Sequence, residues 1–458
     1  MMSAVLAGLI ITGTLFVFGA VYPWVSRPAA LATLALFLIT RPRLFRDRTA
    51  AVDISITAVL AICWLQLVPL PPGVVNALAP ASEAFHRAVD LTQFDPAAMR
   101  PLSLAPAATL ESLIILTACA LFYWITRDTL GNSGARFLVR WIALTGSACV
   151  VLAALSPALF PNGLIYGFWH PLDPHTQPVG PLISRNHFAS WMLLAAPIVG
   201  GYLAARARSH WLASTVKQSS VRALTDSRAF ITVAAVALLC GGVFISQSRA
   251  GLIGLSAAGA FALVGGWRQF GRRGRLGLVS LVAGLLIGAL LISNPARVVN
   301  RLSETNDDGW GGRPMIWRAS RALIAKYPVT GVGYGAYEGA MPLYQPEPRG
   351  LMMNHAHDQY LQVAADIGIP GLVASLVALA MIVRLHFRRQ RHDHSAQQYL
   401  RSGALVGLVG LAVQSIWETP LLTPAVLWLA AAAAGIATSR PGSSETSGSA
   451  RARSGEGH

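Results

Sequence analysis

The chain has 458 residues, of which 54% are hydrophobic and 12% charged, about half the charged share of an ordinary soluble domain. That balance excludes one soluble core of this length. The net charge of +16 does not mark a nucleic-acid binder either, because the cations sit in short connectors between apolar runs, not on one face or in a basic domain.

Twelve apolar runs follow in order, at roughly 4–22, 28–40, 52–71, 108–126, 137–157, 186–205, 229–246, 250–267, 276–294, 360–383, 402–417 and 422–438. In lipid every backbone polar group must be satisfied internally, so such runs predict an all-α, polytopic membrane protein with about 12 transmembrane helices. The first run lacks a basic leader and is closely followed by a second, so it is expected to stay as a span and not to be cleaved as a signal peptide. The second and last runs are short for a bilayer of about 30 Å. Cys63, Cys119, Cys149 and Cys240 each lie inside an apolar run and read as small packing residues, not as a disulfide framework.

Charge orients the bundle. Most of the 36 Lys and Arg fall in connectors after even-numbered spans and in the C-terminal tail, as with Arg41, Arg43, Arg46 and Arg48, and again Arg268, Arg272, Arg273 and Arg275. The positive-inside rule makes that side, and both termini, cytoplasmic. The opposite face receives three long connectors, at about 72–107, 156–184 and 294–358. The Gly/Ser/Arg tail after Ser439 reads as disordered, and no internal repeat has a clear period.

Four polar phrases stand at that outer face. Ser184-Arg185-Asn186-His187 opens the sixth span. Ser184 or Asn186 suits a helix cap, and Arg185 and His187 exceed what a cap needs. Ser246-Gln247-Ser248-Arg249 joins spans seven and eight in about four residues, so Arg249 must lie at the membrane surface or dip into the bundle. A guanidinium there suits a diphosphate, which it grips bidentately; snorkelling at the interface is the alternative for any one Arg. Asp307-Asp308-Gly-Trp310-Gly-Gly-Arg313-Pro314 leads into a helix to about Lys326, whose Ile316, Trp317, Leu323 and Ile324 suggest an interfacial amphipathic helix. Gly331-Val-Gly333-Tyr-Gly335 follows, with no strand before it, and reads as turn glycines and not as a phosphate loop.

Asn354-His355-Ala-His357-Asp358 opens the tenth span. Two His at i, i+2 on a helix face different ways, so the pair alone does not make a chelate. A His beside an Asp at a membrane surface fits a general base, since imidazole titrates near neutrality. A zinc site with His187 as third ligand, and a purely structural His, are the alternatives.

These phrases, in this order and on this topology, resemble the O-antigen ligase/polymerase family: O-antigen ligases, Wzy-type polymerases and protein O-oligosaccharyltransferases. The matching residues run from Gly180-Pro-Leu-Ile-Ser-Arg185-Asn-His187-Phe-Ala through Ser248-Arg249-Ala-Gly, Gly312-Arg313 with Ile316-Trp317, and Pro328-Val-Thr-Gly-Val-Gly-Tyr-Gly335, to His355-Ala-His357-Asp358 with Tyr360-Leu361. The resemblance implies a GT-C-like glycosyltransferase that needs no metal or other cofactor and works at the periplasmic face of the bacterial inner membrane. Its donor is a glycan on undecaprenyl diphosphate. Its acceptor is a sugar of lipid A-core, a growing glycan or a protein hydroxyl. A lipid-open groove between spans takes the polyprenyl chain, and no nucleic acid is involved. Arg249 and Arg313 would bind the diphosphate, and His357 would deprotonate or orient the acceptor. Arg185, Asn186, His187, Trp317, His355 and Asp358 are expected to bind substrate. Where the family has Asn after the His and Glu in the following helix, this chain has Asp358 and Asp366.

The expected organisation is an N-terminal bundle over 1–180, a catalytic core over 181–375 with its large loop at about 294–358, C-terminal spans over 376–438 and a cytoplasmic tail over 439–458. Two rivals remain. A transporter or flippase also fits twelve spans, but the ionisable residues sit at span ends, with Asp53 the exception near the cytoplasmic end of span three. A non-catalytic assembly partner would keep its function without the Arg and His side chains.

Overall fold

The computed structural model describes residues 1–46, 48–89, 95–172, 176–213, 227–266, 279–280, 283–284, 313–345, 353–391, 393 and 395–440. Most of the expected ninth span, together with Asp307, Asp308, Trp310 and the C-terminal tail from Pro441, lies outside the described residues. Among those described, fifteen α-helices occur with no β-strand. They are α1 (Met2–Phe16), α2 (Pro23–Thr40), α3 (Ala50–Leu65), α4 (Pro72–Leu78), α5 (Ser82–Val89), α6 (Pro106–Thr129), α7 (Gly131–Leu159), α8 (Arg185–Ala213), α9 (Ser227–Ile245), α10 (Arg249–Gly266), α11 (Arg313–Lys326), α12 (Tyr337–Ala340), α13 (Gln359–Gln390), α14 (Gln397–Gln414) and α15 (Pro424–Ala437).

Five described stretches are long and apolar enough to cross a membrane: Pro23–Thr40, Pro106–Thr129, Ser133–Leu159, Arg185–Arg208 and Gln359–Gln390. Five shorter apolar ones stand beside them, in α1, α3, α9, α10 and α15. The second expected span, short in the sequence reading, gains a turn because Pro23 starts the helix and Pro28 is accommodated within it. The first ends early, at Phe16, since Phe18, Gly19 and Ala20 all take left-handed backbone.

α8 is the buried axis. Phe188, Ala189, Trp191 and Leu193 are inaccessible, and the helix runs beside α7, α9, α10, α14 and α15. Its contact with α14 is set by small residues: a Cβ at Gly403 would meet Gly201 Cα at 2.8 Å. Helix backbones come this close in lipid only where side chains are absent. All four cysteines are buried and free.

Two of the long connectors fold together into a cap with its own apolar core. Phe85 and Leu104 from the first pack with Leu323, Tyr327, Tyr337 and Met341 from the second. The apolar face of α11 is therefore covered by protein, where the sequence suggested a helix lying in the interface. Gln66 pins the cap down: its Nε2 donates to Thr330 O (2.7 Å) and Asp366 O (2.8 Å), and its Oε1 accepts from Tyr334 N (2.9 Å). The glycine run is a turn packed on α13. Gly331, Gly333 and Gly335 have positive φ, and the N–H groups of 331, 332 and 333 are already donated to Tyr327 O, Ala365 O and Asp366 O. That leaves no cradle of free N–H groups for a phosphate.

Candidate functional site

The phrases singled out in the sequence sit at starts of helices at the capped end of the bundle. Arg185, Asn186 and His187 form the first turn of α8. Arg249 opens α10, Arg313 opens α11, and His355 to Asp358 lead into α13. The cation-dense connectors lie at the other end, where Arg43 meets Arg127 and Arg401 meets Arg440.

At the centre stands Glu418, an acid the sequence reading passed over. It lies in the connector between α14 and α15, and its side chain is 2% exposed. Its Oε1 accepts from Asn186 Nδ2 at 2.6 Å and from Arg313 Nη2, with which it forms an ion pair. Its Oε2 faces His357 Nδ1 at 3.7 Å, beyond hydrogen-bonding range. The connector is held by its neighbours: Gln359 N donates to Ser415 O (2.8 Å), Tyr360 OH to Ala412 O (2.8 Å), and Leu421 N to Gln359 Oε1 (3.1 Å). The start of α13 and the Glu418 connector thus form one unit. A single acid between two apolar runs was the available signal, the same positional argument that picked out Arg249.

His355 and His357 lie before the helix, not on it, and their rings sit 4.1 Å apart between centroids. His357 takes positive φ (50°), a strained state for a residue with a Cβ and one that collects at functional sites. Burial pushes the His355 imidazole well below its usual range, and neighbouring His357, His187 and Arg313 push it the same way. His355 is therefore neutral at pH 7. His187 lies within electrostatic reach of both Glu418 and His357. Among the described residues, no three His, Cys, Asp or Glu side chains are grouped to hold a metal ion.

Asp358 works locally. Its Oδ1 accepts from Tyr360 N (2.8 Å) and Leu361 N (3.0 Å), which makes it the N-cap of α13. Burial raises its carboxyl above the ordinary range, and the two N–H donors oppose that rise. Asp366 is buried under the cap, where Gln362 Nε2 reaches it at 3.2 Å, so it braces the glycine turn.

Arg249 is exposed and makes no hydrogen bond or ion pair with a described residue. Its turn is nevertheless fixed: Gly251 N donates to Ser248 Oγ (3.2 Å), Ser248 N to Ser246 Oγ (3.1 Å), and Ser246 Oγ to Val243 O (2.6 Å). The same turn abuts α8, since a Cβ at Gly251 would meet Ala189 Cβ at 2.7 Å. Trp317 lies one turn after Arg313, with its Nε1 buried and unbonded. Asn186, His187, Arg313, His355 and His357 are brought together; Arg249 and Trp317 stand at their edge.

Apolar helices around a buried axis, with a cationic, His-containing cluster under a cap at one end, mark a multi-pass membrane protein. Residues 234–376, which hold Arg249, Arg313, His355 and His357, match the family model described as O-Antigen ligase, and that match supports the family. That family comprises membrane enzymes of the O-antigen ligase/polymerase type, glycosyltransferase-like and acting on glycans from lipid-linked donors. A search of curated proteins returned no match.

Proposed function

We propose that the protein transfers an oligo- or polysaccharide from undecaprenyl diphosphate to an acceptor hydroxyl. In this reading it is a GT-C-like, metal-independent enzyme of about twelve spans in the bacterial inner membrane, with cytoplasmic termini and a periplasmic site. The observation that carries the reading is the meeting of Arg313 and His357 at buried Glu418, with the Arg249 turn close by on α8.

The acceptor oxygen attacks the anomeric carbon, and the bond from that carbon to the diphosphate oxygen breaks. The electron pair leaves with the diphosphate, and the acceptor's proton goes to His357. Nδ1 is the nitrogen turned towards Glu418, so Nε2 is the one that takes the proton. Arg249 and Arg313 stabilise the charge that builds on the leaving group, and the starts of α8, α10 and α11 add the positive ends of their helix dipoles. Arg185, Asn186, His187, Trp317 and His355 line the substrate side, while Asp358 shapes the start of α13. The acceptor is lipid A-core in a ligase, a growing glycan in a polymerase, or a protein hydroxyl.

The test is glycan transfer by the purified protein with lipid-linked donor, using each acceptor class in turn. Transfer in the wild type and its loss in a variant carrying Arg249→Ala and His357→Ala are expected. Full activity of that variant overturns the assigned roles. Substrate flux in proteoliposomes without covalent transfer overturns the reading in favour of a transporter.

A further inference from the structure

Glu418 takes no part in the steps above, yet it touches each arm of the site. Arg313 and Asn186 both bond to Oε1. Oε2 receives no hydrogen bond from a described residue, and the nearest ring nitrogen, His357 Nδ1, is buried without a hydrogen-bond partner. A buried carboxylate oxygen and a buried ring nitrogen face each other about 0.5 Å beyond hydrogen-bonding range. Leaving both unmade is unfavourable in a low dielectric, so something holds the gap open. Arg313 does so, by drawing the carboxylate towards α11. It is also the more accessible partner, at 23% exposure against 2% for Glu418, and His357 is 27% exposed. An incoming anion can reach Arg313 and His357 without unburying Glu418.

We propose that Glu418 is a positioning residue that changes partners when the donor binds: the diphosphate takes Arg313, and the released carboxylate closes on His357 Nδ1. This rests on the reading that a diphosphate is the ligand. A guanidinium pairs bidentately with phosphate oxygens, so the exchange replaces one charge-assisted bond with two. Closing the gap from 3.7 Å to about 2.8 Å fixes the proton on Nδ1 and leaves Nε2 free as base. When the acceptor oxygen attacks the anomeric carbon, its proton goes to Nε2. Nδ1 keeps its own proton, Glu418 stays ionised beside the imidazolium, and the electron pair leaves with the diphosphate. No further reactant is needed. The consequence is order: His357 is aligned as a base only once the donor has drawn Arg313 away, so donor binding precedes acceptor activation.

Glu418→Gln separates this from a merely structural role. The neutral side chain can still accept from Asn186 but no longer holds Arg313 as an ion pair. Farnesyl diphosphate, titrated calorimetrically into purified full-length protein in detergent, should bind about tenfold tighter than to wild type. The transfer kcat should fall about 10- to 100-fold, because the base is no longer oriented. Tighter binding with slower turnover is the expected split, and weaker or unchanged binding in a folded variant overturns the exchange. If the Gln variant does not fold, Glu418→Asp decides. Its carboxylate is withdrawn by one methylene, so it should lie between wild type and the split in both quantities, and wild-type binding overturns the proposal. The binding arm does not depend on turnover. A wild type that binds farnesyl diphosphate but transfers no glycan sinks the glycosyltransferase reading while the exchange is still tested.

Discussion

An Arg–carboxylate pair stands at each end of the bundle, Arg127–Asp53 and Arg313–Glu418, and the two are built differently. At the cation-dense end Arg127 and Asp53 are both inaccessible. Asp53 Oδ1 accepts from Arg127 and from Trp124 Nε1 (2.8 Å), while Oδ2 accepts from Phe45 N (2.9 Å) and Thr49 Oγ1 (3.2 Å). Arg127 also binds Asp128 through two nitrogens at 3.1 and 3.0 Å and reaches Arg43 O at 3.3 Å. Both Asp53 oxygens and all three Arg127 guanidinium nitrogens are bonded. At the capped end the Arg313–Glu418 pair leaves one carboxylate oxygen unbonded and its cation open to solvent. A saturated pair ties helices together, whereas an unsaturated one has capacity for a ligand. The same two residue types are therefore saturated at one end and left open to a ligand at the other.

Breaking the saturated pair should have the largest effect, and on stability alone. Removing one partner of a buried ion pair strands the other, a loss of about 3–5 kcal/mol. Asp53→Ala should therefore lower the thermal midpoint in detergent sharply and reduce yield, while the donor KM of the folded fraction stays as in wild type. A changed KM with unchanged stability would reverse the contrast between the ends.

The open end should respond in the opposite way. Arg249→Ala or Arg313→Ala should lower transfer about 100- to 1000-fold, as expected for losing a preorganised charge at the leaving group. For Arg249→Ala the thermal midpoint should move little, because Arg249 has no described partner to strand, whereas Arg313→Ala should lower it as well, because it strands the buried Glu418 carboxylate. Steady-state kinetics and a melting curve on each variant read the two effects separately.

This contrast was half legible in the sequence. An Arg with only four residues between two apolar runs has nowhere to be but a membrane surface, so Arg249 was visible, and so was the helix from Arg313. The expected partition of connectors into two faces also comes from charge placement. Glu418 was missed because an acid in a short outer connector conforms to ordinary charge rules; only its packing against Asn186 and Arg313 gives it meaning, and those lie far away in sequence. The cap was illegible for a related reason. Leu104 and Val332 share a core and a 2.8 Å hydrogen bond across more than two hundred residues, and no local period records such a pairing. Asp358 was read for its charge, whereas its spacing before Tyr360 and Leu361 was a capping signal all along.

Acid should act on the open end first. His355 is held neutral in the folded protein, with its imidazole well below the usual range because of burial. The unfolded chain binds that proton at about pH 6.5. Below this the unfolded state carries more protons than the native one, so stability falls as pH falls, by up to about 1.4 kcal/mol per pH unit for one such group, until His355 itself is protonated. Melting curves between pH 7.5 and 5 should show the loss, and His355→Gln should flatten it. An equal acid slope in the variant would assign the effect to another group.

The smallest expected effect is the sharpest test of what Asp358 does. As an N-cap it contributes about 1 kcal/mol, which Asn supplies as well as Asp and Ala does not. Asp358→Asn should then keep both the melting point and the transfer rate, while Asp358→Ala loses about 1 kcal/mol of stability with only a modest fall in rate, because the start of α13 carries His357. If Asp358 instead bound the substrate through its charge, the two variants would fail alike in transfer and Asn would give no rescue. Raised burial and two backbone donors on one oxygen favour the cap: a carboxylate committed to Tyr360 and Leu361 cannot turn to a ligand without fraying the helix that positions the base.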